Sequence, residues 1–483
     1  MMNSATFAPR LLEKLRKLLG PGAVLSEPEE LLTYECDSLT ISRVRPDAVV
    51  FPRSGEDVEA IVKLCLEHEV AMTPRGAGTG ISGGALPAVG GVLVECARMN
   101  RILEVNRDDR YALVEPGVVN LDLSKAVEKD GLYYAPDPSS QASCTLGGNV
   151  AENSGGPHCL KYGVTVNHVL GLEIVLGTGE RLVVGGPEEG LAGPDLVGLL
   201  VGSEGTFGIV TKIWVRLTPL PEEVRTLLAP FRTMVEAGNA VSDVIADGIL
   251  PAALEILDQM TIGLIEDSVH KAGYPRDAGA VLLVELDGLE AGMDALEAQV
   301  EEILARNGAL SIRAARDAHE RKQLWAGRKN AFGVAGRIST DIYVQDGVVP
   351  RSRLTEVLRS LEGLGRKHGF TVYNVFHAGD GNIHPLIAYD GRDADQVRRV
   401  VAMGEEILRL CVSVGGALSG EHGIGVEKKD FMPLLFTEDD LRRMADVKAV
   451  FNPTLLLNPR KVFPTHPCVE VRHAFSKPAT EGR

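Results

Sequence analysis

The chain has no closely spaced cysteine pair and no long apolar run. Its seven cysteines are scattered, and none belongs to a C-x-x-C pair. A disulfide framework and a built-in iron–sulfur cluster are therefore both disfavoured, and reduced thiols in a cytoplasmic protein fit best. No apolar stretch approaches the roughly 18 residues that a membrane-spanning helix needs.

Basic residues are in deficit. Lys and Arg total 50 against 66 Asp and Glu, which gives a formal net charge of −16. Nucleic-acid binding needs a clustered basic excess, so this class of function is disfavoured, and any anionic ligand must be met locally. With 483 residues, 45% of them hydrophobic, the chain is long enough for two or three globular domains.

The first half of the chain reads as short strands and helices separated by glycine. Leucine and charge alternate at helical spacing over residues 11–19, which predicts a first helix. Ser54 is placed to cap a second helix, and residues 91–95 and 210–217 are predicted strands. Pro219 and Pro221 follow directly and predict a domain border.

Beyond that border the periodicity predicts a ferredoxin-like order of strand, helix, strand, strand, helix, strand. The predicted elements are, in order, residues 225–231, 234–246, 253–257, 280–286, 289–306 and 310–314, with an extra helix at 262–270. Further helices are predicted at residues 354–367, 394–414 and 438–450. The polar residues after Pro464 predict a flexible tail.

Two glycine-rich segments far apart in the chain carry three imidazoles and a carboxylate. His377 and His384 flank a Gly-Asp-Gly-Asn stretch, whose turn chemistry predicts strand, tight turn, strand. Both rings then converge near one loop, and Glu421 or His422 from the second segment completes a divalent-metal shell. The alternative is two histidines packed in a sheet. The other histidines, among them His158, are interpreted as ordinary.

Three glycine-rich loops, at residues 74–84, 147–156 and 202–210, precede the predicted border. The first has the glycine spacing of a Rossmann fingerprint, but Pro87 and Gly90 arrive before a helix could face a pyrophosphate, so a nicotinamide-binding Rossmann domain is disfavoured. Exposed backbone N–H groups in such a loop form an anion-binding nest. Three such loops predict a long ligand cradled by backbone.

Residues 74–84, 137–163 and 202–211 resemble the FAD-binding domain of the vanillyl-alcohol oxidase and p-cresol methylhydroxylase flavoprotein family. The two histidine motifs resemble its 2-hydroxy-acid dehydrogenase branch. Segments 134–141, 325–332 and 374–382 are similar to the FAD-bearing subunits of bacterial glycolate oxidases. The resemblance runs from about Leu11 to Pro464.

The resemblance implies an α+β fold with a two-subdomain FAD-binding domain, a ferredoxin-like cap and a C-terminus that returns to the FAD domain. The implied division is an N-terminal helical segment at 1–45, the FAD-binding domain at 46–221, the cap or substrate domain at 222–436, the return segment at 437–464 and a flexible tail at 465–483.

The resemblance also implies FAD contacts. These are Arg75, Gly76, Ala77, Gly78, Thr79, Gly80 and Ser82 for the pyrophosphate, Pro138, Gly147, Gly148, Asn153 and Gly155 for adenine and ribose, Ile209 on the returning strand, and Asn458 near the isoalloxazine. Covalently flavinylated relatives often carry a histidine where this chain has Thr79-Gly80-Ile81. Non-covalent FAD is therefore expected.

For the chemistry, the resemblance implies a divalent metal on His377, His384 and Glu421. Zinc is the expected metal, and iron and manganese are the alternatives. His422 would act as general base and also touch substrate, while Arg328, helped by Lys329, would pair with a substrate carboxylate. The alternative for Arg328 is a solvated arginine on a helix surface.

The implied function is FAD-dependent oxidation of a small 2-hydroxy acid to the 2-oxo acid. Pro385-Leu386 follows His384 where enzymes for larger diacids carry a polar residue, which favours glycolate or D-lactate over the alternative, D-2-hydroxyglutarate or another D-2-hydroxy acid. Electrons would pass to an iron–sulfur partner subunit and quinone, with the complex peripheral to the inner face of the membrane. The rival classes are a metal-dependent hydrolase and a flavoprotein transferase or assembly subunit.

Overall fold

The computed structural model describes residues 9–187 and 193–464. The tail predicted at 465–483 lies outside these residues. The described strands form a four-stranded, a five-stranded and an eight-stranded sheet, together with a short pair. The mixture of helices with parallel and antiparallel strands confirms the predicted α+β class.

The four-stranded sheet lies near the N-terminus, in the order Val24–Leu25, Ala48–Val50, Val92–Glu95, Met72–Arg75. Its first pair is antiparallel and the other two are parallel. The helix Gly55–Glu67 packs beside it, and the Ser54 hydroxyl accepts a hydrogen bond from the Asp57 N–H at 3.2 Å. The predicted cap, helix and buried strand are thus confirmed.

The five-stranded sheet is antiparallel and runs in the order Ile102–Asn106, Tyr111–Val114, Gly208–Arg216, Val169–Leu176, Arg181–Gly185. After its first residue, the central strand Gly208–Arg216 alternates between buried and half-buried residues. This is the pattern of a strand with one covered face. The pair Leu132–Tyr133 with Thr218–Pro219 stands at the predicted border.

The eight-stranded sheet begins with a ferredoxin-like group in the order Arg313–Ala314, Glu223–Phe231, Ala280–Gly288, Ala253–Asp258, all antiparallel. Helices Met234–Ala246 and Met293–Arg306 pack on one face. The predicted element order is confirmed. The second helix starts four residues late, because Gly292 has a left-handed φ of 95° immediately before it, and the last strand is only two residues long.

The same sheet continues past the ferredoxin-like group, which the sequence did not predict. The added strands are Val372–His377, Asn382–Tyr389 and Asp341–Val344, and Gly347–Val348 pairs with the second of them. The first two form the predicted histidine hairpin. Gly381 closes its turn with φ 81°, and a Cβ there would lie 2.1 Å from the Val349 carbonyl oxygen.

Alternation along these strands sorts side chains between two faces. Leu254, Ile256 and Phe376 are buried in the core under the helices. Glu255 and His377 are direct cross-strand partners and point to the opposite face, where Val375 also packs. Glu255 and His377 therefore lie on the sheet face opposite helices Met234–Ala246 and Met293–Arg306.

The remaining helices cover the sheets and their edges. They are Pro9–Leu19, Pro28–Leu31, Asn120–Val127, Leu146–Glu152, Cys159–Tyr162, Leu196–Leu200, Gln259–Glu266, Ala318–Lys329, Ala331–Ala335, Leu354–His368, Ala394–Ser413 and Glu438–Phe451, with short 3₁₀ turns between them. None of the helices within 9–187 and 193–464 combines the length and apolar character that crossing a membrane requires.

The end of the described chain returns to the four-stranded sheet. The Met72 N–H donates to the Leu456 carbonyl at 2.8 Å, and the Asn458 N–H donates to the Met72 carbonyl at 2.7 Å. These bonds extend the edge strand Met72–Arg75 with the C-terminal segment. The predicted C-terminal return is therefore confirmed.

Candidate active site

A cavity of about 480 Å³ lies between the three glycine loops and the eight-stranded sheet. One wall is formed by residues 74–81, 147–155 and 203–210. The opposite wall carries Arg328, Lys329, His377, His384, Glu421 and His422. The fold thus brings all three predicted loops and all of the predicted catalytic and metal-binding side chains to one space.

The loop wall fits a ligand that touches backbone. Gly80 lines the cavity, and a Cβ built there would meet no protein atom within 4 Å, so it would project into the ligand's space. A Cβ at Gly76 would lie 2.3 Å from the Thr145 hydroxyl oxygen. That hydroxyl is buried and has no hydrogen-bond partner among the described residues, so it is available to a bound group.

Most predicted cofactor contacts do line the cavity. They are Arg75, Gly76, Ala77, Gly78, Thr79, Gly80, Pro138, Gly147, Gly148, Gly155 and Ile209. The Arg75 guanidinium, however, serves the protein: its Nη1 donates to the Cys36 carbonyl at 2.8 Å, and its Nε lies 3.5 Å from Glu95. Arg75 can therefore contact a ligand through its backbone, whereas its guanidinium charge is already partly neutralised by Glu95.

Three of the predicted contacts, Ser82, Asn153 and Asn458, do not line the cavity and remain predictions. Ser82 is fully buried, and its carbonyl accepts from two backbone N–H groups of residues 426–427. The Asn153 side chain accepts from the Val166 N–H at 2.9 Å. The Asn458 amide donates to the carbonyls of Gly84 and Glu204. The Ser82 backbone and the Asn153 and Asn458 side chains thus hold the cavity wall in shape, while the buried Ser82 hydroxyl has no hydrogen-bond partner among the described residues.

The opposite wall holds the histidine–glutamate cluster, composed of His377, His384, Glu421 and His422. One carboxylate oxygen, Glu421 Oε1, lies 3.3 Å from His377 Nε2, 3.1 Å from His384 Nε2 and 3.5 Å from His422 Nε2. The first two rings are buried in the sheet, and the His422 ring stacks on that of His384. Three imidazoles therefore converge on one carboxylate, as predicted.

Charge and burial set the protonation of this cluster. Burial alone would lower the pKa of His377, but the Glu255 and Glu421 carboxylates hold it well above its usual range. Burial likewise opposes ionisation of Glu421, yet the adjacent histidines hold the pKa of that carboxyl well below its usual range. Burial lowers the pKa of His384. Metals bind ionised carboxylates and neutral imidazoles, so Glu421 and His384 favour the binding forms, whereas His377 must release a proton when a metal binds.

The donor set fits a divalent cation. One ligand atom each from His377, His384 and Glu421 lies within 4.8 Å of the others. His384 Nε2 is buried and lies 3.1 Å from Glu421 Oε1, but it makes no well-directed hydrogen bond in the described parts of the chain. Two imidazole nitrogens and one carboxylate oxygen are a common set for zinc and for related transition metals.

A second grouping, Asp346 with His384 and His422, is less suited to an ion. The Asp346 carboxylate accepts from the Ser419 hydroxyl and from the backbone N–H groups of residues 420–422. Its oxygens are therefore committed to shaping the segment that carries Glu421 and His422.

Glu255 bonds both His377 and Arg328, and it was not predicted from the sequence. It is fully buried, with Oε2 accepting from Arg328 Nε at 2.5 Å and Oε1 from His377 Nδ1 at 2.7 Å. The signal was one charged residue inside an otherwise apolar strand, Ala253-Leu254-Glu255-Ile256-Leu257. Asp346 was missed as well, because its partners come from a segment more than 70 residues away.

The alternative that Arg328 is a solvated arginine on a helix surface is wrong, since this residue is only 4% exposed and lines the cavity. Glu255 holds its Nε, and its Nη2 lies 3.2 Å from His377 Nδ1. Lys329 is half-buried on the same wall, and its ammonium lies 3.2 Å from Asp137 Oδ2. Two cations thus face the cavity beside the histidine–glutamate cluster.

His158, interpreted from the sequence as an ordinary histidine, has a structural role. Its ring bridges the half-buried Asp137, at 2.9 Å through Nδ1, and the buried Glu285, at 2.9 Å through Nε2. Trp325 Nε1 donates to Glu285 as well. The histidine joins the loop wall to the eight-stranded sheet, and Asp137 extends the network to Lys329.

Comparison with known proteins places these features in one class, the FAD-binding oxidoreductases. Residues 46–185 match the family described as "FAD binding domain", and residues 220–462 match "FAD linked oxidases, C-terminal domain". The chain belongs to the FAD-linked oxidase family, and FAD is its cofactor.

The chain is similar over nearly its whole length to characterised relatives. It is 48% identical to the glycolate oxidase subunit GlcD of Escherichia coli, over 95% of this chain and 92% of that protein. It is 32% identical to a D-lactate dehydrogenase of Anaerostipes hadrus, over 94% and 97%. The fold resembles the structure of p-cresol methylhydroxylase with substrate bound, with a TM-score of 0.80, 18% identity and coverage of 95% and 97%.

The buried bridge at His158 predicts a pH-dependent stability. Burial alone would lower the pKa of His158, but Asp137 and Glu285 raise it from 6.5 to about 10. The charged bridge therefore contributes its full stabilisation below about pH 6.5, and this is lost as the pH rises through about 10. His158→Gln should lower the free energy of unfolding by about 3–5 kcal/mol near neutral pH.

Urea unfolding of both proteins at several pH values between 6 and 10.5 checks this. The difference between wild type and H158Q should shrink as the pH rises. A difference that stays constant over the range would contradict a charged bridge.

Proposed function

We propose that this protein oxidises a small 2-hydroxy acid, glycolate or D-lactate, to the corresponding 2-oxo acid with FAD as the acceptor. The observation that carries the proposal is the single cavity in which the FAD-type glycine loops face the histidine–glutamate cluster and Arg328. The named relatives, a glycolate oxidase subunit and a D-lactate dehydrogenase, support the same substrate class.

The glycine loops hold the cofactor by their backbone N–H groups, because such groups form a nest for phosphate oxygens. The unpartnered Thr145 hydroxyl adds one side-chain hydrogen bond. When bound, FAD supplies the acceptor for the α-hydrogen of the substrate, which leaves formally as hydride. No histidine stands at residues 79–81 to bond the flavin, so the cofactor is held non-covalently.

We infer that His377, His384 and Glu421 hold a divalent cation, with zinc the first choice and iron and manganese the alternatives. Such an ion supplies Lewis acidity that lowers the pKa of a substrate hydroxyl. The chain fixes the ligands beforehand. Glu255 orients the His377 ring through Nδ1, and the Gln345 carbonyl lies 3.3 Å from His384 Nδ1, so both Nε2 atoms point to the cavity.

His422 is the proposed general base. It is outside the three-ligand group yet lines the cavity beside it, with Nε2 3.5 Å from Glu421 Oε1. Its Nδ1 lies 3.7 Å from the buried Asp346 carboxylate, too far for a hydrogen bond, so the negative charge acts on the ring through space. The opposite nitrogen can take the hydroxyl proton, and Asp346 stabilises the resulting imidazolium.

Arg328 is the proposed carboxylate-binding residue. Glu255 holds its Nε and His377 Nδ1 lies 3.2 Å from its Nη2, which leaves Nη1 and the remaining N–H of Nη2 for a substrate carboxylate. Lys329 adds a second positive charge on the same wall. The negative charge of Glu255 keeps Arg328 in place when no substrate neutralises it.

The wall beside the cluster favours a short, apolar substrate tail. Val344, Val375 and Leu386 come from three neighbouring strands, and all line the cavity next to His377 and His384. A second carboxylate of a diacid placed against this apolar surface would lose hydration without gaining a partner. This supports glycolate or D-lactate over 2-hydroxyglutarate.

The electrons must leave the reduced flavin through another redox centre. The described cysteines are free and scattered, and they form no cluster-binding set. We therefore propose an iron–sulfur subunit as electron acceptor, in a cytoplasmic complex that lies peripherally on the inner face of the membrane. We also propose the domain division given above, with the cap at 222–436 closing the cavity. Neither family match supports a hydrolase.

Anaerobic mixing of the FAD-loaded protein with each acid tests the proposal. We expect flavin bleaching near 450 nm by glycolate or D-lactate, on the order of hundreds of times slower with L-lactate or after chelation, since one metal is worth several kcal/mol of charge stabilisation. His377→Ala should abolish bleaching and keep FAD bound. Fast bleaching in H377A, or only by L-lactate, would sink the assignment.

Removing the support of the ligands should impair the site without emptying it of FAD. Glu255→Gln loses the charge that orients His377 and Arg328, so we expect kcat/KM to fall about 10–100-fold, the range found for groups that orient metal ligands. Steady-state kinetics with an artificial electron acceptor measures this. Glu302→Gln, an exposed helix residue, is the matched control. Equal kcat/KM in E255Q and E302Q would refute the role of Glu255.

A further inference from the structure

The segment 419–425, which carries Glu421 and His422, is held from two sides. On the side of the eight-stranded sheet, Asp346 accepts hydrogen bonds from the N–H groups of residues 420–422. On the loop side, the Glu204 carboxylate accepts from the Ile424 N–H at 2.6 Å and the Gly425 N–H at 2.7 Å. The second set of bonds crosses from the FAD-binding loops to the metal-ligand segment.

Glu204 is itself firmly placed in the third glycine loop. It is 4% exposed and has a left-handed φ of 51°, a conformation that L residues rarely adopt. Its N–H donates to the Ala151 carbonyl at 2.8 Å, and its carbonyl accepts from the Asn458 amide at 2.6 Å. Backbone bonds on both sides thus fix a strained residue whose carboxylate points at residues 424–425.

The third glycine loop and the segment 419–425 are packed so closely that no side chain fits between them at Gly423. Gly423 has φ 85°, and a Cβ there would lie 2.1 Å from Glu152 Oε2 and 3.0 Å from Glu204 Oε1. Lys428 Nζ donates to the Gly423 carbonyl at 3.1 Å, and its buried charge lies 3.0 Å from Glu427 Oε2 and 3.8 Å from Asp346 Oδ2. Only glycine lets the segment approach so closely.

We propose that Glu204 is a positioning residue that docks the segment 419–425 onto the cofactor-binding loop and so sets where Glu421 and His422 stand. The inference rests on the proposed metal site and extends it by naming what holds the third ligand. Hydrogen bonds to a carboxylate are about twice as strong as those between neutral groups. The two bonds from Ile424 and Gly425 to Glu204 are therefore suited to fix the position of the segment.

Glu204→Gln tests this, because it keeps the size of the side chain and turns one of its two acceptor oxygens into an NH₂ group. The matched control is Glu302→Gln. In the FAD-loaded proteins, hydrogen exchange of peptides covering residues 419–427 is followed by mass spectrometry. Co²⁺ affinity is measured by chelator competition, and its visible absorption reports the ligand geometry.

We expect faster exchange over 419–427 in E204Q, a Co²⁺ Kd raised about 10–100-fold and a changed Co²⁺ spectrum, with FAD content as in E302Q. Unchanged exchange with unchanged Co²⁺ affinity would overturn the inference. If E204Q does not retain FAD, Glu204→Asp takes its place, since it keeps the charge but falls short of residues 424–425. If the wild type binds no Co²⁺, the metal proposal fails, and the exchange result alone decides the role of Glu204.

Discussion

A buried carboxylate, Glu255, is the interaction on which the site depends. An ionised side chain without access to water costs several kcal/mol unless every lone pair is matched. Here both oxygens are used, one by Arg328 and one by His377. In the proposed site, this one charge orients the Arg328 guanidinium for the substrate carboxylate and the His377 ring for the metal. The hydrogen bonds that orient the site therefore also stabilise the sheet.

The second constraint is that the site is divided between parts of the chain that are far apart in sequence. FAD-binding loops form one wall, and the extended sheet with segment 419–425 forms the other. Three carboxylates join them: Asp137 and Glu285 through His158, and Glu204 through the backbone of residues 424–425. Charged joints of this kind are directional, so they fix the distance between flavin and substrate better than an apolar contact would.

Much of this architecture could be predicted from local sequence. The helix at 234–246 was predicted with its observed bounds, and the Gly-Asp-Gly-Asn turn correctly predicted the hairpin that brings His377 near His384. What could not be predicted depends on long-range register. Periodicity shows that residues 253–257 form a strand, but it does not show that Glu255 will pair with His377, which lies 122 residues away.

The same limit applies to the predicted cofactor contacts. Resemblance identified the segments around Ser82, Asn153 and Asn458, but it did not show that the Asn153 and Asn458 side chains bond the backbone. The structural role of His158 was hidden for a related reason. Its two partners are 21 and 127 residues away, so its sequence neighbours do not reveal that it is a charged bridge.

The central claim is that a cation sits on His377, His384 and Glu421 in the cavity that holds FAD. Anomalous diffraction from crystals of the FAD-loaded protein, collected above and below the absorption edge of the metal found in it, tests this most directly. The account predicts one strong peak about 2.0–2.3 Å from both Nε2 atoms and a Glu421 oxygen, on the side facing the flavin ring. A metal-replete protein with no peak there, or with its peak elsewhere, would contradict it.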